Sequence, residues 1–545
     1  MLHDLAAKAS QRKPLAAFVA EEHEERLSRS LTLFDLICVG VGGTLGSGIF
    51  VLTGLISREY AGPGVVFSWV IAGVCTCLSA MAYAEMASRI PSCGSAYAYA
   101  YCALGELPAF LVAFFMTLEY GISGAAIARS WGNKLSYWFQ SMGVNFPLLD
   151  YLEQHYSINL YAALLHLLCV LILLMGVKVG KLVVNVFTVI KVFLVLFMIV
   201  VGFCYFTVEN LQNMNPYGVN GIFRGSSAAF FGLLGYDEVC ILSAEAHDPQ
   251  RNLPYAVFGT IFISSLFSIL ASLALVGMLP YSAIDPENGF GIAFRQLDAM
   301  WAQHIVSAGE VLTLPLVVLV SFLAQPRLLY EMSVDRLLPM AFSEIDARGN
   351  LSQGIVISGS VLTVIALFVP FSYLNDMISA GVLLSFNITN SSLIAFRRGD
   401  PHDSFLCRRL LLAYNILTLI TSAAVNIPNT ALGFSLSMLL LLFCAVMVFV
   451  IDRKCPEFED SSKHEQFRVP FVPYFPCAAI LLNSCMIGQL STTGIYVTSV
   501  YVVVVLLLYF LMGFWLRGSD AAAWRSIPRD SSQYEIIGNP GDDFD

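Results

Sequence analysis

Long apolar segments alternate with short polar segments along almost the whole chain. Fourteen of these segments approach the ~20 consecutive apolar residues that a membrane-spanning helix requires. We number the predicted spans 1 to 14 in chain order, at 35–56, 65–87, 107–130, 160–177, 182–206, 224–245, 255–279, 307–328, 354–371, 374–396, 409–426, 431–451, 473–490 and 495–516. The pattern predicts an all-α integral membrane protein.

The composition agrees with this pattern and excludes several classes of protein. Of the 545 residues, 57% are hydrophobic and 12% are charged, whereas soluble proteins carry roughly 25% charged residues. A water-soluble enzyme and a disordered scaffold are therefore excluded. The formal net charge of −10 supplies no basic face for phosphates, so we expect no nucleic-acid partner. Most of the 13 cysteines lie in apolar runs, and no CxxC pair is present. We expect no metal and no cofactor.

The basic residues predict how the chain is oriented in the membrane. Alternate loops, counted from the N-terminus, contain 23 of the 29 Lys and Arg residues, and the opposite loops contain 5. Cytoplasmic loops are enriched in Lys and Arg. Both termini are therefore expected to be cytoplasmic, and the even number of spans agrees with this because it places both termini on the same side.

Two predicted spans contain clustered glycines. Span 1 has five glycines in the nine residues from Gly40 to Gly48, and span 6 has a sparser set at Gly225, Gly232 and Gly235. Each glycine costs ~1 kcal/mol relative to alanine in a helix interior. The clusters predict that both helices unwind near mid-membrane. The alternative is that the glycines let helices pack closely.

An unwound segment in a membrane must line a polar cavity or lie within protein. After the break in span 1, the N–H groups of Gly46, Ser47 and Gly48 and the positive end of the helix dipole suit a carboxylate. In span 6, the carbonyls near Phe231 and Leu234 suit an ammonium group. Together the two breaks predict a site for an α-amino acid. The candidate site also contains Thr44 and, with less support, Gly43 and Ser321.

Lys191 is the basic residue inside a predicted span. A charged residue at this depth costs at least ~2.5 kcal/mol. It follows Leu182 by nine residues, which at ~1.5 Å per residue places it roughly 14 Å into the span. Because burial penalises the charged ammonium, we interpret Lys191 as a group whose charge can switch near physiological pH and respond to a passing substrate. The alternative is a static ion pair with an acid such as Asp237.

Three acids are candidates to balance this charge and to receive a cationic ligand: Glu119 in span 3 and the adjacent Asp237 and Glu238 in span 6. With Lys191 charged, the four groups sum to −2, which a cationic side chain such as that of arginine or lysine would offset. Neighbours on a helix point ~100° apart. We therefore expect only one of the adjacent acids to face the cavity, and we favour Asp237, with Glu238 directed to another helix or to the outer vestibule.

Several short motifs occur in a specific order along nearly the whole chain. The set resembles the cationic amino acid transporter family of the amino acid–polyamine–organocation superfamily. It consists of Gly42-Gly-Thr-Leu-Gly46-Ser-Gly-Ile-Phe50, Ala61-Gly-Pro63, Arg89-Ile-Pro91, Gly94-Ser-Ala-Tyr97, Gly105-Glu-Leu107, Ala128-Arg-Ser-Trp131, Gly235-Tyr-Asp237, Asp248-Pro249, Asp335-Arg-Leu-Leu-Pro339 and Arg468-Val-Pro-Phe-Val-Pro473.

The resemblance implies a LeuT-like core of five plus five helices in an inverted repeat, followed by four additional C-terminal helices. Spans 1 and 6 would be the broken helices around a central site reached by alternating access. The implied organisation is a cytoplasmic N-terminal segment at 1–32, the first repeat at 33–206, the second repeat at 207–396, the additional helices at 397–516 and a cytoplasmic tail at 517–545.

The family also implies a function, and Lys191 bears on it because bacterial and animal members differ at this position. Lys191 matches a lysine that, in bacterial relatives, stands where sodium-coupled relatives bind Na⁺, and an ammonium there would exclude Na⁺. Animal members usually lack this lysine. The implied function is secondary active transport of arginine or lysine with proton coupling. A broad or neutral amino acid exchanger without proton coupling, or an amino-acid-sensing transceptor, remains as an alternative.

The expected partners are an amino acid substrate, protons and the lipid bilayer. Relatives that are disulfide-linked to a heavy chain use a cysteine between spans 3 and 4, and 132–162 contains none. We therefore expect no obligatory heavy chain, and either a monomer or a loose homo-oligomer. No catalytic constellation is recognisable, so no enzyme activity is expected. The predicted location is the plasma membrane, with endosomal, lysosomal or vacuolar membranes as alternatives.

Overall fold

The computed structural model describes residues 9–15, 17–18, 30–144, 146–286, 288–346, 349–369, 371–398, 405–425, 431–457 and 467–515. The predicted tail at 517–545 lies outside these ranges, as does most of the N-terminal segment. In the described residues all regular secondary structure is helical, and helices are joined by turns and short irregular segments; one isolated bridge links Leu31 and Ala246.

Nineteen α-helices of six or more residues form the described structure. They are α1 (Leu33–Ser47), α2 (Val65–Arg89), α3 (Ala96–Ala103), α4 (Glu106–Thr117), α5 (Ser123–Ser141), α6 (Pro147–Tyr156), α7 (Leu160–Leu174), α8 (Val177–Cys204), α9 (Gly218–Phe231), α10 (Tyr236–Ile241), α11 (Pro249–Met278), α12 (Gly289–Gln296), α13 (Met300–Val334), α14 (Ser352–Phe368), α15 (Phe371–Arg398), α16 (Phe405–Val425), α17 (Ala431–Lys454), α18 (Tyr474–Ile487) and α19 (Thr492–Trp515). Three π-helical segments, Gly48–Leu52, Ile56–Ala61 and Leu118–Ile122, interrupt this series.

Ten helical stretches within the described residues are long and apolar enough to cross a membrane, and three shorter apolar helices accompany them. The first stretch, Leu33–Arg89, contains both α1 and α2. A helix lies at each of the fourteen predicted spans. The all-helical class is thus confirmed, while the number of helices that cross the membrane and the side on which the termini lie stay predictions.

The helix of span 1 does not unwind at its glycines, and that prediction is wrong for this structure. The α-helix runs to Ser47 and continues directly as the π-helix Gly48–Leu52. Close packing, the alternative interpretation, accounts for part of the cluster. A Cβ atom added to Gly48 would lie 2.7 Å from the carbonyl oxygen of Gly232, so spans 1 and 6 approach each other through bare backbone.

Span 6 is broken where the glycines predict it. The helix α9 ends at Phe231, and α10 begins at Tyr236. Between them Gly235 has a φ of 135°, a left-handed conformation that residues with a side chain rarely adopt. The chain can therefore leave one helix and start the next within four residues, and the second half-helix begins with Asp237 and Glu238 in its first turn.

Spans 1 and 6 lie at the centre of the helix packing. The helix α1 packs against α8, α11 and α13, and α10 packs against α1 and α11. This arrangement brings the predicted site residues of spans 1, 3, 5, 6 and 8 together in the interior.

Candidate functional site

Lys191 lies on α8 where this helix packs against the glycine-rich part of α1. Its ammonium is fully buried and donates a hydrogen bond to the carbonyl oxygen of Gly42, with an Nζ–O distance of 2.7 Å. A Cβ atom on Gly46 would lie 3.4 Å from the same Nζ. Nearby on α8, Thr188 donates to the carbonyl of Cys38 at 2.9 Å. Two side chains of α8 therefore hold the backbone of α1.

Glu238 extends toward this lysine. Ser321 of α13 donates to its Oε1 at 3.0 Å, and the Lys191 charge acts on the carboxylate. Its Oε2 lies where Gly43 would carry a Cβ atom, and this oxygen has no hydrogen-bond partner among the described residues. Of the two directions expected for Glu238, another helix or the outer vestibule, the structure shows the first. The break in span 6 turns Glu238 toward α1 and α13.

Asp237 points in a different direction and is already held by two donors. Tyr120 donates its hydroxyl to Oδ2 at 2.6 Å, and the backbone N–H of Gly235 donates to Oδ1 at 3.2 Å. The side chain is fully buried. The alternative static ion pair between Lys191 and Asp237 is not formed, because the Asp237 oxygens accept from Tyr120 and Gly235 while the Lys191 ammonium donates to the Gly42 carbonyl. The sequence analysis missed Tyr120, although it directly follows Glu119.

Glu119 is the least satisfied polar group of the site. It lies in the π-helix Leu118–Ile122 that joins α4 to α5, and it is 3% exposed. Its carboxyl lies against that of Asp237, so that the two can share a proton, and neither of its oxygens receives a hydrogen bond from an N–H or hydroxyl group in the described part of the chain. A buried ionised carboxylate without a counter-charge is unfavourable. Glu119 therefore calls for a proton or a cationic group.

The remaining predicted residues surround these acids. The Thr44 hydroxyl donates to the carbonyl of Gly40, one turn earlier in the same helix, at 2.6 Å, so its hydrogen bond is made within α1. Gly46 packs against Val317. Phe231 and Leu234 flank the break in span 6 and are nearly buried. The side chain of Ser47 lies outside the described structure.

The site consists of two polar clusters joined through adjacent residues. The first contains Lys191, Glu238 and Ser321, and the second contains Glu119, Asp237 and Tyr120. Because Asp237 and Glu238 are consecutive on α10, a change in the position of this short helix moves both clusters together. In the described residues no group of three or more His, Cys, Asp or Glu side chains is arranged to hold a metal ion. The chemistry available here is the binding of charged groups and protons.

A second buried charge pair lies toward the other end of the π-helix in span 1. Lys134 of α5 and Glu310 of α13 form an ion pair of 2.8 Å, with side chains 6% and 7% exposed. Lys134 also donates to the carbonyl of Phe50 at 3.2 Å. The sequence analysis missed this pair because both residues lie at the margins of predicted hydrophobic spans. The pair ties spans 3 and 8 to span 1.

Comparison with protein families identifies the chain over most of its length. The model described as amino acid permease matches residues 31–454, and the model described as the C-terminus of AA_permease matches residues 467–516.

Three curated relatives illustrate the similarity. Cationic amino acid transporter 2, vacuolar, from Arabidopsis thaliana is 34% identical over 72% of this chain and 64% of its own length. The match thus spans less than two thirds of that relative. Cationic amino acid transporter 4 from Homo sapiens is 28% identical over 98% of this chain and 94% of its own length. The methylthioribose transporter of Bacillus subtilis (strain 168) is 33% identical over 72% of this chain and 86% of its own length.

A solved structure supports the fold. The crystal structure of MhsT in complex with L-phenylalanine superimposes with a TM-score of 0.53 at 14% identity, covering 79% of this chain and 99% of that one. At this identity the likeness shows the fold alone, and it agrees with the LeuT-like class that the motifs imply. With the family matches, it makes the chain a multi-pass membrane protein of a transporter fold. The chain belongs to the amino acid permease family, as a member of the cationic amino acid transporter family within the amino acid–polyamine–organocation superfamily.

Proposed function

We propose that this protein is a secondary active transporter of cationic amino acids that works by alternating access. The observation that carries this proposal is the Glu119 carboxyl, which is buried beside the Asp237 carboxyl and receives no hydrogen bond from an N–H or hydroxyl group among the described residues. A guanidinium or ammonium side chain supplies the missing charge and the missing donors at once. Arginine and lysine are therefore the substrates that this site favours.

In this proposal the substrate has a definite orientation relative to spans 1 and 6. Its cationic side chain extends toward Glu119 and Asp237, its amino group lies near Phe231 and Leu234, and its carboxylate lies near Gly46–Gly48. That turn of span 1 is helical, so carboxylate binding requires its amides to leave their helical bonds. The adjoining π-helix Gly48–Leu52 is a feature that often accompanies functional sites.

Proton coupling is proposed to pass through Lys191. Its ammonium contacts the Gly42 carbonyl and faces the Glu238 carboxylate, so that gain or loss of its proton changes a contact to span 1 and a charge next to span 6. In this proposal a proton bound on one side of the membrane favours one arrangement of the two spans. The plasma membrane is the proposed location, and an inverted repeat of 33–206 with 207–396 is the proposed organisation.

Uptake into proteoliposomes tests the proposal. The purified full chain is supplied with radiolabelled arginine, with and without an inward proton gradient, in competition with excess lysine, alanine and leucine. We expect concentrative, gradient-dependent arginine uptake that lysine blocks. Arginine exchange without accumulation would remove proton coupling and keep the substrate class.

A neutral substrate is the second candidate function, and the similarity to a methylthioribose transporter favours it. In that case Glu119 carries a proton during transport and binds through neutral hydrogen bonds. Uptake of alanine, leucine or methylthioribose in the same proteoliposomes, without arginine uptake, would establish this alternative and overturn the cationic one.

A further inference from the structure

An N-terminal stretch of the chain is docked onto the helices at one end of the molecule. We call residues 9–15 together with 17–18 the strap. Lys13 donates its backbone N–H to the carbonyl of Tyr101 at 3.3 Å, and Gln11 accepts from the backbone N–H of Glu106 at 3.0 Å. Arg408 donates to the carbonyl of Ser10 at 2.9 Å. The strap therefore has a defined position against α3, α4 and α16.

A buried ion pair fastens the strap. The Nζ of Lys13 lies 2.8 Å from Oδ1 of Asp335, and both side chains are 0% exposed. Tyr97 of α3 donates to the other oxygen of Asp335 at 2.6 Å. The Lys13 ammonium also lies 4.3 Å from the centre of the Phe18 ring. Loss of one member of such a pair leaves a buried, uncompensated charge and is strongly destabilising.

The strap covers a region where several helices are already joined. Asp335 directly follows α13, and Tyr97 lies beyond the end of α2. Under the strap, Ser92 donates to Glu331 of α13 at 2.9 Å. Arg327 of α13 pairs with Glu245, at the end of span 6, at 2.7 Å. Polar bonds thus connect α13 with the ends of spans 2 and 6 on this side.

The chain that enters span 1 takes part in the same closure. The backbone N–H groups of Ser30 and Leu31 both donate to the carbonyl of Glu245, each at 3.0 Å, and His247 donates back to Leu31 at 2.9 Å. These backbone hydrogen bonds connect the start of span 1 to the end of span 6, and Glu245 connects both to α13 through Arg327. This side of the molecule is closed by contacts that must separate if the site is to open here.

We propose that the strap is a gate element: it keeps this side of the transporter closed, and the Lys13–Asp335 pair is its latch. The side is the one that carries the N-terminus, which we expect to be cytoplasmic. Release of the latch frees α13 from the strap and allows the contacts of Glu245 and Ser92 to break. The inference rests on the proposed function, because alternating access requires each side to open in turn.

Hydrogen–deuterium exchange of the full chain in lipid nanodiscs tests the strap directly. The variant Lys13→Met removes the charge and keeps an apolar stem, and Arg12→Met is the matched control, since it removes a neighbouring charge outside the latch. In Lys13→Met we expect peptides covering 9–15 and 101–106 to exchange at least about tenfold faster than in the wild type. Peptides covering 92–97 and 245–247 are expected to exchange faster too. Arg12→Met is expected to match the wild type.

Two results would overturn the inference. Unchanged exchange in Lys13→Met would show that the pair is no latch. Faster exchange of the strap alone, with 92–97 and 245–247 unchanged, would show that the strap is an anchor without a gating role.

A second variant and a second measurement ensure that misfolding of one variant is not mistaken for release of the strap. Asp335→Asn breaks the same pair from the other side and must give the same exchange pattern. Cys102 lies near Lys13. The rate at which its thiol is alkylated, measured by mass spectrometry, is expected to increase in both variants. These measurements need no substrate. A failure of arginine transport would therefore count against the proposed function and leave the strap result intact.

Discussion

The Lys191 ammonium donates a hydrogen bond to the Gly42 carbonyl, with 2.7 Å between the two atoms. Gly42 lies within the glycine-rich turn of span 1, and the neighbouring Gly43 leaves the space that Glu238 occupies. Lys191 therefore contacts the backbone of span 1 and faces a carboxylate of span 6. Its proton is positioned to influence both.

Replacing Lys191 tests this link. In Lys191→Met we expect the proton gradient to stop driving arginine accumulation, because the titratable group is gone, while exchange of internal for external arginine continues. The measurement is proteoliposome uptake at several imposed proton gradients. Lys181→Met, near the start of the same helix and paired with Asp35, serves as the control and is expected to keep accumulation. Full gradient-driven accumulation in Lys191→Met would refute the coupling role.

Glu119 is expected to discriminate between cationic and neutral substrates. Charge-assisted hydrogen bonds contribute about 1.5–3 kcal/mol, so Glu119→Gln should lower kcat/KM for arginine by roughly 10- to 100-fold. Uptake of alanine or leucine, where it occurs, should change little. The exposed Glu209 provides the control variant Glu209→Gln. Equal losses for arginine and for neutral amino acids would contradict the assignment.

Tyr120 is expected to position Asp237. Tyr120→Phe removes the 2.6 Å hydrogen bond and leaves a buried carboxylate oxygen with one donor fewer, at a cost of about 1–3 kcal/mol. We expect a lower midpoint of thermal unfolding and a higher KM for arginine. Tyr255→Phe, at a residue 62% exposed, controls for the loss of a hydroxyl. Wild-type stability and KM in Tyr120→Phe would show that Asp237 does not depend on this donor.

Gly43 is expected to tolerate no side chain. A Cβ atom there would overlap with the Glu238 carboxylate, whereas the nearest atom to a Cβ on Gly259 is 3.5 Å away. Gly43→Ala pushes the end of the Glu238 side chain away from α1 and weakens its contact with Ser321, so we expect a loss of arginine uptake of about tenfold. Gly259→Ala should remain near the wild type. The comparison is made at equal amounts of purified protein, and similar uptake in the two variants would contradict the observed packing.

The sequence predicts the helices well because hydrophobic segments and glycine positions are local signals. A helix lies at each of the fourteen apolar segments, and the break in span 6 occurs between Phe231 and Tyr236, where the glycines lie. The same reasoning fails for span 1. There the glycines serve the approach of Gly48 to Gly232, and a contact between two distant parts of the chain leaves no local pattern.

The structure brings together most of the residues that the sequence singles out, but the contacts among them are not predicted. The sequence brings forward Glu119, Lys191 and the acids of span 6, since buried charges stand out in apolar segments. It leaves the direction of Glu238 open between another helix and the outer vestibule, because the conformation of the break between Phe231 and Tyr236 decides how α10 is turned. It misses Tyr120 because a tyrosine in a hydrophobic span carries no signal until its hydroxyl is seen to contact Asp237.

The Lys134–Glu310 pair has a consequence for how the protein is made. Its two members are 176 residues apart in the chain, so Lys134 emerges from the ribosome long before its partner exists. Until α13 is inserted, the Phe50 carbonyl, water and lipid headgroups can accept from this ammonium, but its counter-charge is absent. The contact between α5 and α13 is therefore completed late, after the eighth span has been synthesised.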